Sequence, residues 1–197
     1  DGWSVEQAAA SGASAAKLLL PYHPDRALAD AQRSVAERVL GSCRTVDLPL
    51  ILEPLFYGVR SAEERERVVL TTVDDFASTG ADLLKLPFPV DPAAVVERED
   101  RIAACRRVTD RCSQPWALLS GGGDFESFAA QVDAALAGGA SGFMVGRALW
   151  GDAARASAAD RPRVIDEKVS ARWRRLNEIA RSERAIAALR DQEARRP

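Results

Sequence analysis

Five short, nearly uninterrupted apolar runs punctuate the sequence, at Ala15–Leu20, Leu48–Phe56, Ala81–Leu86, Trp116–Leu119 and Gly142–Val145. Segments with helical spacing separate them: Asp25–Leu40, Ser61–Ser78, Asp91–Arg111 and Asp124–Leu136. A strand with one wet face alternates apolar and polar residues, whereas a strand buried on both faces does not. Apolar strands in alternation with helices therefore predict a parallel sheet with helical crossovers, each βα unit taking about 30 residues. Start and stop signals agree with this. Ser4, Ser61 and Asp124 stand where an N-cap is needed, Pro92 stands in a first turn, and Gly12 and Gly80 follow helices that must end. Trp3–Ser11 and the Arg/Glu-rich Arg161–Arg195 read as the outer helical segments.

Three of the units open alike. Gly12-Ala13-Ser14-Ala15-Ala16-Lys17, Gly80-Ala81-Asp82-Leu83-Leu84-Lys85 and Gly139-Ala140-Ser141-Gly142-Phe143-Met144 share a helix-stopping glycine, a small pair and then a strand. Repeated βα units of this kind suit a (β/α)8 TIM barrel. An open doubly wound sheet is the alternative, although no G-x-G-x-x-G follows the first strand to bind a dinucleotide. A full barrel has eight strands and about 250 residues. Here five strands are counted, the chain opens Asp1-Gly2-Trp3, and its only methionine is Met144. The expectation is that three βα units precede Asp1, and that residues 1–197 are a single domain, the C-terminal part of such a barrel.

Composition narrows the classes. A formal charge of −2, with 47% hydrophobic and 28% charged residues, describes a globular chain and not a nucleic-acid binder or a membrane span. Cys43, Cys105 and Cys112 lie in helical patterns without metal-site spacing. They are expected as buried free thiols of a cytoplasmic protein. Trp3, Trp116, Trp150 and Trp173 are read as packing residues.

Lysine is the anomaly. Of 27 basic residues only Lys17, Lys85 and Lys168 are lysine, and two of them interrupt apolar strands. An unpaired ammonium is costly to desolvate there, while a neutral amine is a nucleophile. Lys85 lies in Leu83-Leu84-Lys85-Leu86 and Lys17 in Ala15-Ala16-Lys17-Leu18. A neighbouring cation is a known device for keeping a Schiff-base lysine neutral. Glu53 is the third charge in a strand, within Leu52-Glu53-Pro54. It fits either an ion pair that offsets the lysines' desolvation or a proton shuttle. Ser120-Gly121-Gly122-Gly123-Asp124 joins a strand to a helix, and Gly146-Arg147 closes the next strand. Glycines let backbone N–H groups reach an anion, and arginine adds fixed charge. Ser120, Gly121, Gly122, Gly146 and Arg147 are thus candidate phosphate ligands. The single histidine, His23, follows the first strand and is either a solvated loop residue or a substrate contact. One histidine cannot make a multi-histidine zinc site, so no metal is expected.

These motifs together resemble the tagatose-1,6-bisphosphate aldolase family, grouped with deoxyribose-phosphate aldolase among Schiff-base (class I) barrels. The resemblance rests on Ala16-Lys17-Leu18-Leu19-Leu20-Pro21-Tyr22, Leu52-Glu53-Pro54-Leu55, Asp82 through Val90, Leu119-Ser120-Gly121-Gly122 and Val145-Gly146-Arg147-Ala148-Leu149-Trp150. It implies that the five strands are the fourth to eighth of a TIM barrel. It also implies that Lys85 is the Schiff-base lysine, with Lys17 its electrostatic neighbour and Glu53 in proton handling. The implied partner is a small sugar phosphate, cleaved without a cofactor to dihydroxyacetone phosphate and an aldehyde. Sulfofructose phosphate is an alternative substrate, and a non-catalytic sugar-phosphate sensor or an unrelated α/β binding domain with structural lysines is an alternative role. No nucleic acid or membrane is expected as a partner, and self-association is left open.

Overall fold

In a computed structural model, residues 3–59 and 61–194 are described. Five strands form: β1 (Ala16–Tyr22), β2 (Leu50–Phe56), β3 (Leu83–Leu86), β4 (Trp116–Leu119) and β5 (Gly142–Met144). They make one parallel sheet in the order β1-β2-β3-β4-β5. A doubly wound sheet reverses its strand order at a switch point. The order here never reverses, so right-handed crossovers carry the helices to one side of the sheet, as in a barrel wall. The crossovers are α2 (Arg26–Thr45), α3 (Ala62–Phe76), α4 (Arg98–Thr109) and α5 (Phe125–Ala137), after a short opening helix α1 (Val5–Ala10).

Alternation within each strand separates two faces. Leu20, Tyr22, Leu50, Leu52, Leu84, Leu86, Trp116 and Leu118 are buried and form the core with Val69, Val73, Phe76, Phe128 and Val132 of the helices. The opposite face carries Lys17, Leu19, Ile51, Glu53, Leu55, Leu83 and Lys85, and there Leu19 is 47% and Leu55 38% exposed. The face that bears the charges is thus the one turned away from the helices.

The repeated glycines have a shared backbone cause. Gly12, Gly80 and Gly139 all take left-handed φ, at +82°, +84° and +96°. Each turns the chain from a helix end into a strand, a conformation that a side chain disfavours. The caps also form as read: the Ser61 hydroxyl accepts from the Glu64 amide, and Asp124 accepts from the Ser127 amide.

Four expectations are corrected. The helix predicted from Asp91 begins at Arg98. The Asp91 carboxylate and carbonyl instead hold a turn through the Ala93, Ala94 and Val95 amides, and the Arg101 guanidinium takes the carbonyls of Pro92 and Val95. Arg161–Arg195 is not one helix: α7 (Arg161–Val164) runs through a π-helical turn (Ile165–Val169) into α8 (Ser170–Ala180). The chain then breaks at Arg181-Ser182 before α9 (Glu183–Ala194), and Arg195 lies outside the described residues. Cys112 sits past the end of α4, in neither helix nor strand. All three thiols are free; Cys43 and Cys105 are buried as expected, whereas Cys112 is half-buried, its thiol pushed up to about 12 by desolvation. Of the tryptophans only Trp116 is buried, with its indole N–H donated to the Thr109 hydroxyl. Trp3, Trp150 and Trp173 are largely exposed, Trp173 lying edge-on to Phe143. One further helix, α6 (Arg147–Arg155), was not read from the sequence. Among the described residues no helix is long and apolar enough to cross a membrane.

Candidate active site

Three consecutive strands bring three charges to one point. Strand pairing places Lys17 beside Ile51 and Leu19 beside Glu53, with Leu52 beside Leu84. Glu53 and Lys85 are the next residues along after that last pair, so they share a level, and Lys17 reaches up from one pleat repeat below. The Lys17 ammonium donates to Glu53 Oε2 at 2.8 Å, and the Lys85 ammonium donates to the same oxygen at 3.0 Å. Glu53 is buried, and the Lys85 side chain is 17% exposed against 43% for Lys17. The two nitrogens therefore lie within about 6 Å of each other, close enough for each charge to act on the other.

Burial alone would push the Glu53 carboxyl up. The hydrogen bonds from Lys17 and Lys85, with their charges, outweigh burial and hold it below the usual carboxylate range. Neither lysine is the unpaired ammonium that the strand sequences suggested. One shared carboxylate oxygen makes the desolvation of both tolerable, which is the ion-pair reading of Glu53.

Two of the candidate phosphate ligands, Gly122 and Arg147, meet. The Ser120–Gly123 loop leaves β4 and leads to Asp124, the N-cap of α5; Gly146 leaves the neighbouring β5 and is the N-cap of α6. Gly121 and Gly122 take φ of +56° and +80°. A Cβ on Gly122 would lie 2.8 Å from Arg147 Nη2 and 3.1 Å from Cζ, so the guanidinium rests directly on this glycine. The first turn of α6 has neither a capping side chain nor an acidic residue. Amides of that turn and the Arg147 guanidinium flank one loop, at the strand ends where Lys85 also lies, an arrangement that can hold an oxyanion.

His23 follows β1 and packs against Tyr57, their rings tilted by 43° with centroids 5.2 Å apart. Two supporting residues were not singled out from the sequence. Arg65, near the start of α3, lies over the Phe56 ring at 5.4 Å and donates to the Phe88 carbonyl at 3.0 Å, tying the ends of β2 and β3 together. Asp75 is buried; the Tyr22 hydroxyl donates to it at 2.6 Å and Arg26 at 2.9 Å, which clamps α3 to β1 and α2. Neither had a local signal; Tyr57, also not singled out, had one, since it continues the parity of Glu53 beyond the strand. Among the described residues no three His, Cys, Asp or Glu side chains gather as a metal site would require.

A sequentially ordered parallel βα sheet, with a lysine–carboxylate–lysine cluster on the face away from its helices, defines the class: a barrel-type α/β protein that gathers charge on its inner face. Comparison with known proteins makes this particular. The chain belongs to the DeoC/LacD family of aldolases, whose family model matches residues 1–152. It is 28% identical over 168 residues to the tagatose 1,6-diphosphate aldolase of Listeria monocytogenes serotype 4a (strain HCC23), covering 72% of this chain and 49% of that protein. An archaeal fructose 1,6-bisphosphate aldolase shares the fold with a TM-score of 0.66 at 23% identity, over 90% of this chain and 62% of that one. Another archaeal fructose-1,6-bisphosphate aldolase, with its catalytic lysine covalently bound to a carbinolamine intermediate, superposes with a TM-score of 0.58 at 25% identity. That match covers 75% of this chain and 55% of that one. The chain spans about half the length of the curated relatives it matches.

Proposed function

We propose that this protein is a class I aldolase that cleaves a phosphorylated ketose to dihydroxyacetone phosphate and an aldehyde through an imine on Lys85. The observation that carries the reading is the sharing of Glu53 Oε2 by Lys17 and Lys85. The Lys85 ammonium passes a proton to Glu53, the free amine adds to the C2 carbonyl, and Glu53 returns the proton to the departing hydroxyl as the carbinolamine loses water to give an iminium. A base, Glu53 or a water it holds, takes the C4 hydroxyl proton. The C3–C4 bond then breaks, C4 leaves as the aldehyde, and the bonding pair flows into the iminium to give an enamine. Protonation at C3 and hydrolysis release dihydroxyacetone phosphate and the free amine. Lys17 keeps positive charge beside the reacting nitrogen. The Ser120–Gly122 loop with Gly146 and Arg147 binds the C1 phosphate. The relatives' names support tagatose 1,6-bisphosphate or fructose 1,6-bisphosphate as the substrate.

Borohydride reduction with dihydroxyacetone phosphate tests the reading. The expected result is one covalent adduct, mapped by peptide mass to Lys85; an unmodified protein, or an adduct elsewhere, overturns it. A coupled assay with ketose bisphosphates and sulfofructose 1-phosphate separates the substrates.

The phosphate site gives a second expected result. In Gly122→Ala the new methyl meets the Arg147 guanidinium and strains a left-handed φ. KM for the phosphorylated ketose is expected to rise about tenfold, the loss of one charge-assisted hydrogen bond, with kcat nearly unchanged. An unaltered KM removes Arg147 from the phosphate site.

A further inference from the structure

We infer that His23 is a substrate-binding residue, whose Nε2–H donates to a terminal oxyanion on the aldehyde half of the ketose. This rests on the aldolase reading and extends it to the half of the substrate that the lysines do not hold. The single histidine of the chain lies one residue beyond Tyr22, whose ring is fully buried against the helices. Alternation gives position 23 to the face of Lys17 and Leu19. Pairing carries on across the strand ends, because the Tyr57 amide donates to the Tyr22 carbonyl at 3.1 Å. His23 and Tyr57 are therefore lateral neighbours above the Leu19–Glu53 pair, in line with the contact between their rings.

The imidazole is held in one tautomer. Its Nδ1 accepts the Asp25 amide at 3.1 Å, which leaves the proton on Nε2. The backbone is fixed as well, since the His23 amide donates to Gln32 Oε1 at 3.0 Å. Gly58, at φ +79°, faces the ring edge, and a Cβ there would stand 3.5 Å from Nε2. Any longer side chain at 58 would lie over the donor, so the glycine keeps the N–H open. Four strand residues, ~13 Å, separate the Glu53 level from His23. The imidazole closes part of this gap, and a C3-to-C6 fragment ending in phosphate or sulfonate spans the rest.

A structural role for His23 would rest on the bond from Asp25 and the ring contact with Tyr57, neither of which depends on the substrate's charge, and asparagine supplies the same acceptor to the residue two positions on. His23→Asn therefore keeps the turn and removes the donor. For a ketose with a terminal anion, KM is expected to rise about tenfold with kcat changed less than twofold. For the ketose 1-phosphate lacking that anion KM should stay within twofold, and borohydride trapping of dihydroxyacetone phosphate on Lys85 should be unchanged. Equal effects on both ketoses, or none, overturn the assignment. Independently of imine chemistry, the lone imidazole Nε2 resonance of the native protein should shift with glyceraldehyde 3-phosphate and not with glyceraldehyde. A resonance indifferent to both overturns the assignment even where trapping succeeds, whereas failed trapping with a shifted resonance counts against the Lys85 reading alone.

Discussion

Replacing Lys85 with methionine will abolish both the borohydride adduct and turnover, by about 10⁴-fold or more, while Lys17→Met will keep the adduct and turn over about 10²-fold more slowly. Both lysines touch the same carboxylate oxygen, so contact geometry alone does not choose between them. Position does. β3 is the central strand of the five, with β2 and β4 on either side, and its lysine is the less exposed of the two. Water is thus better excluded at Lys85, where an iminium must survive long enough for the C3–C4 bond to break. β1 is the edge of the described sheet, and the Lys17 side chain is 43% exposed. Water competes with a carbonyl there, and the role that the proposed mechanism gives Lys17 is to supply charge. The fold should tolerate either change. Methionine roughly matches the lysine stem, and Glu53 keeps one ammonium partner, so each variant should lose about 1 kcal/mol in urea unfolding. An adduct that persists in Lys85→Met and vanishes in Lys17→Met would exchange the two roles.

What could be read from the sequence follows from the range of the forces involved. The strands and their order were legible because burial on both faces leaves a local mark, a run of apolar residues. The site charges were legible for the same reason: Lys17, Glu53 and Lys85 break such runs, and a charge inside a strand needs an explanation. The turn glycines 12, 80 and 139 were legible because left-handed φ selects glycine. Contacts between distant residues left no such mark. That both lysines would meet one oxygen of Glu53 depends on a register that only strand pairing sets. Tyr22 and Asp75 are 53 positions apart, and neither neighbourhood signals their bond. The helix expected from Asp91 failed because apolar periodicity alone does not reveal that Arg101 reaches back to carbonyls a helix would have used. The partly exposed tryptophans failed likewise, since size argues for burial but the available pockets decide it.

Glu53→Gln is the change expected to cost most in stability, and its cost should depend on pH in a defined direction. The carboxylate accepts from both lysines at one oxygen; a carboxamide can leave an oxygen at that point but brings no negative charge to it. Two cations then lie close together without a counter-charge. Breaking a fully buried ion pair costs about 3–5 kcal/mol. With Lys17 partly in water the expected loss is smaller, about 2 kcal/mol at neutral pH. Turnover should fall 10²–10³-fold, as for the loss of a general base. Burial raises the Glu53 carboxyl, but the two lysines lower it further, so its net folded value lies below the ordinary 4.5. A group depressed on folding stabilises the protein fully above its unfolded value and loses that contribution as pH falls through the folded one. The stability gap between native protein and variant should therefore be constant from pH 7 to about pH 5 and should shrink steadily toward pH 3. Urea unfolding at these three pH values measures it. A gap that stays constant, or widens in acid, would mean that the carboxylate is not held by the lysines. The geometry on which the aldolase reading depends would then be wrong.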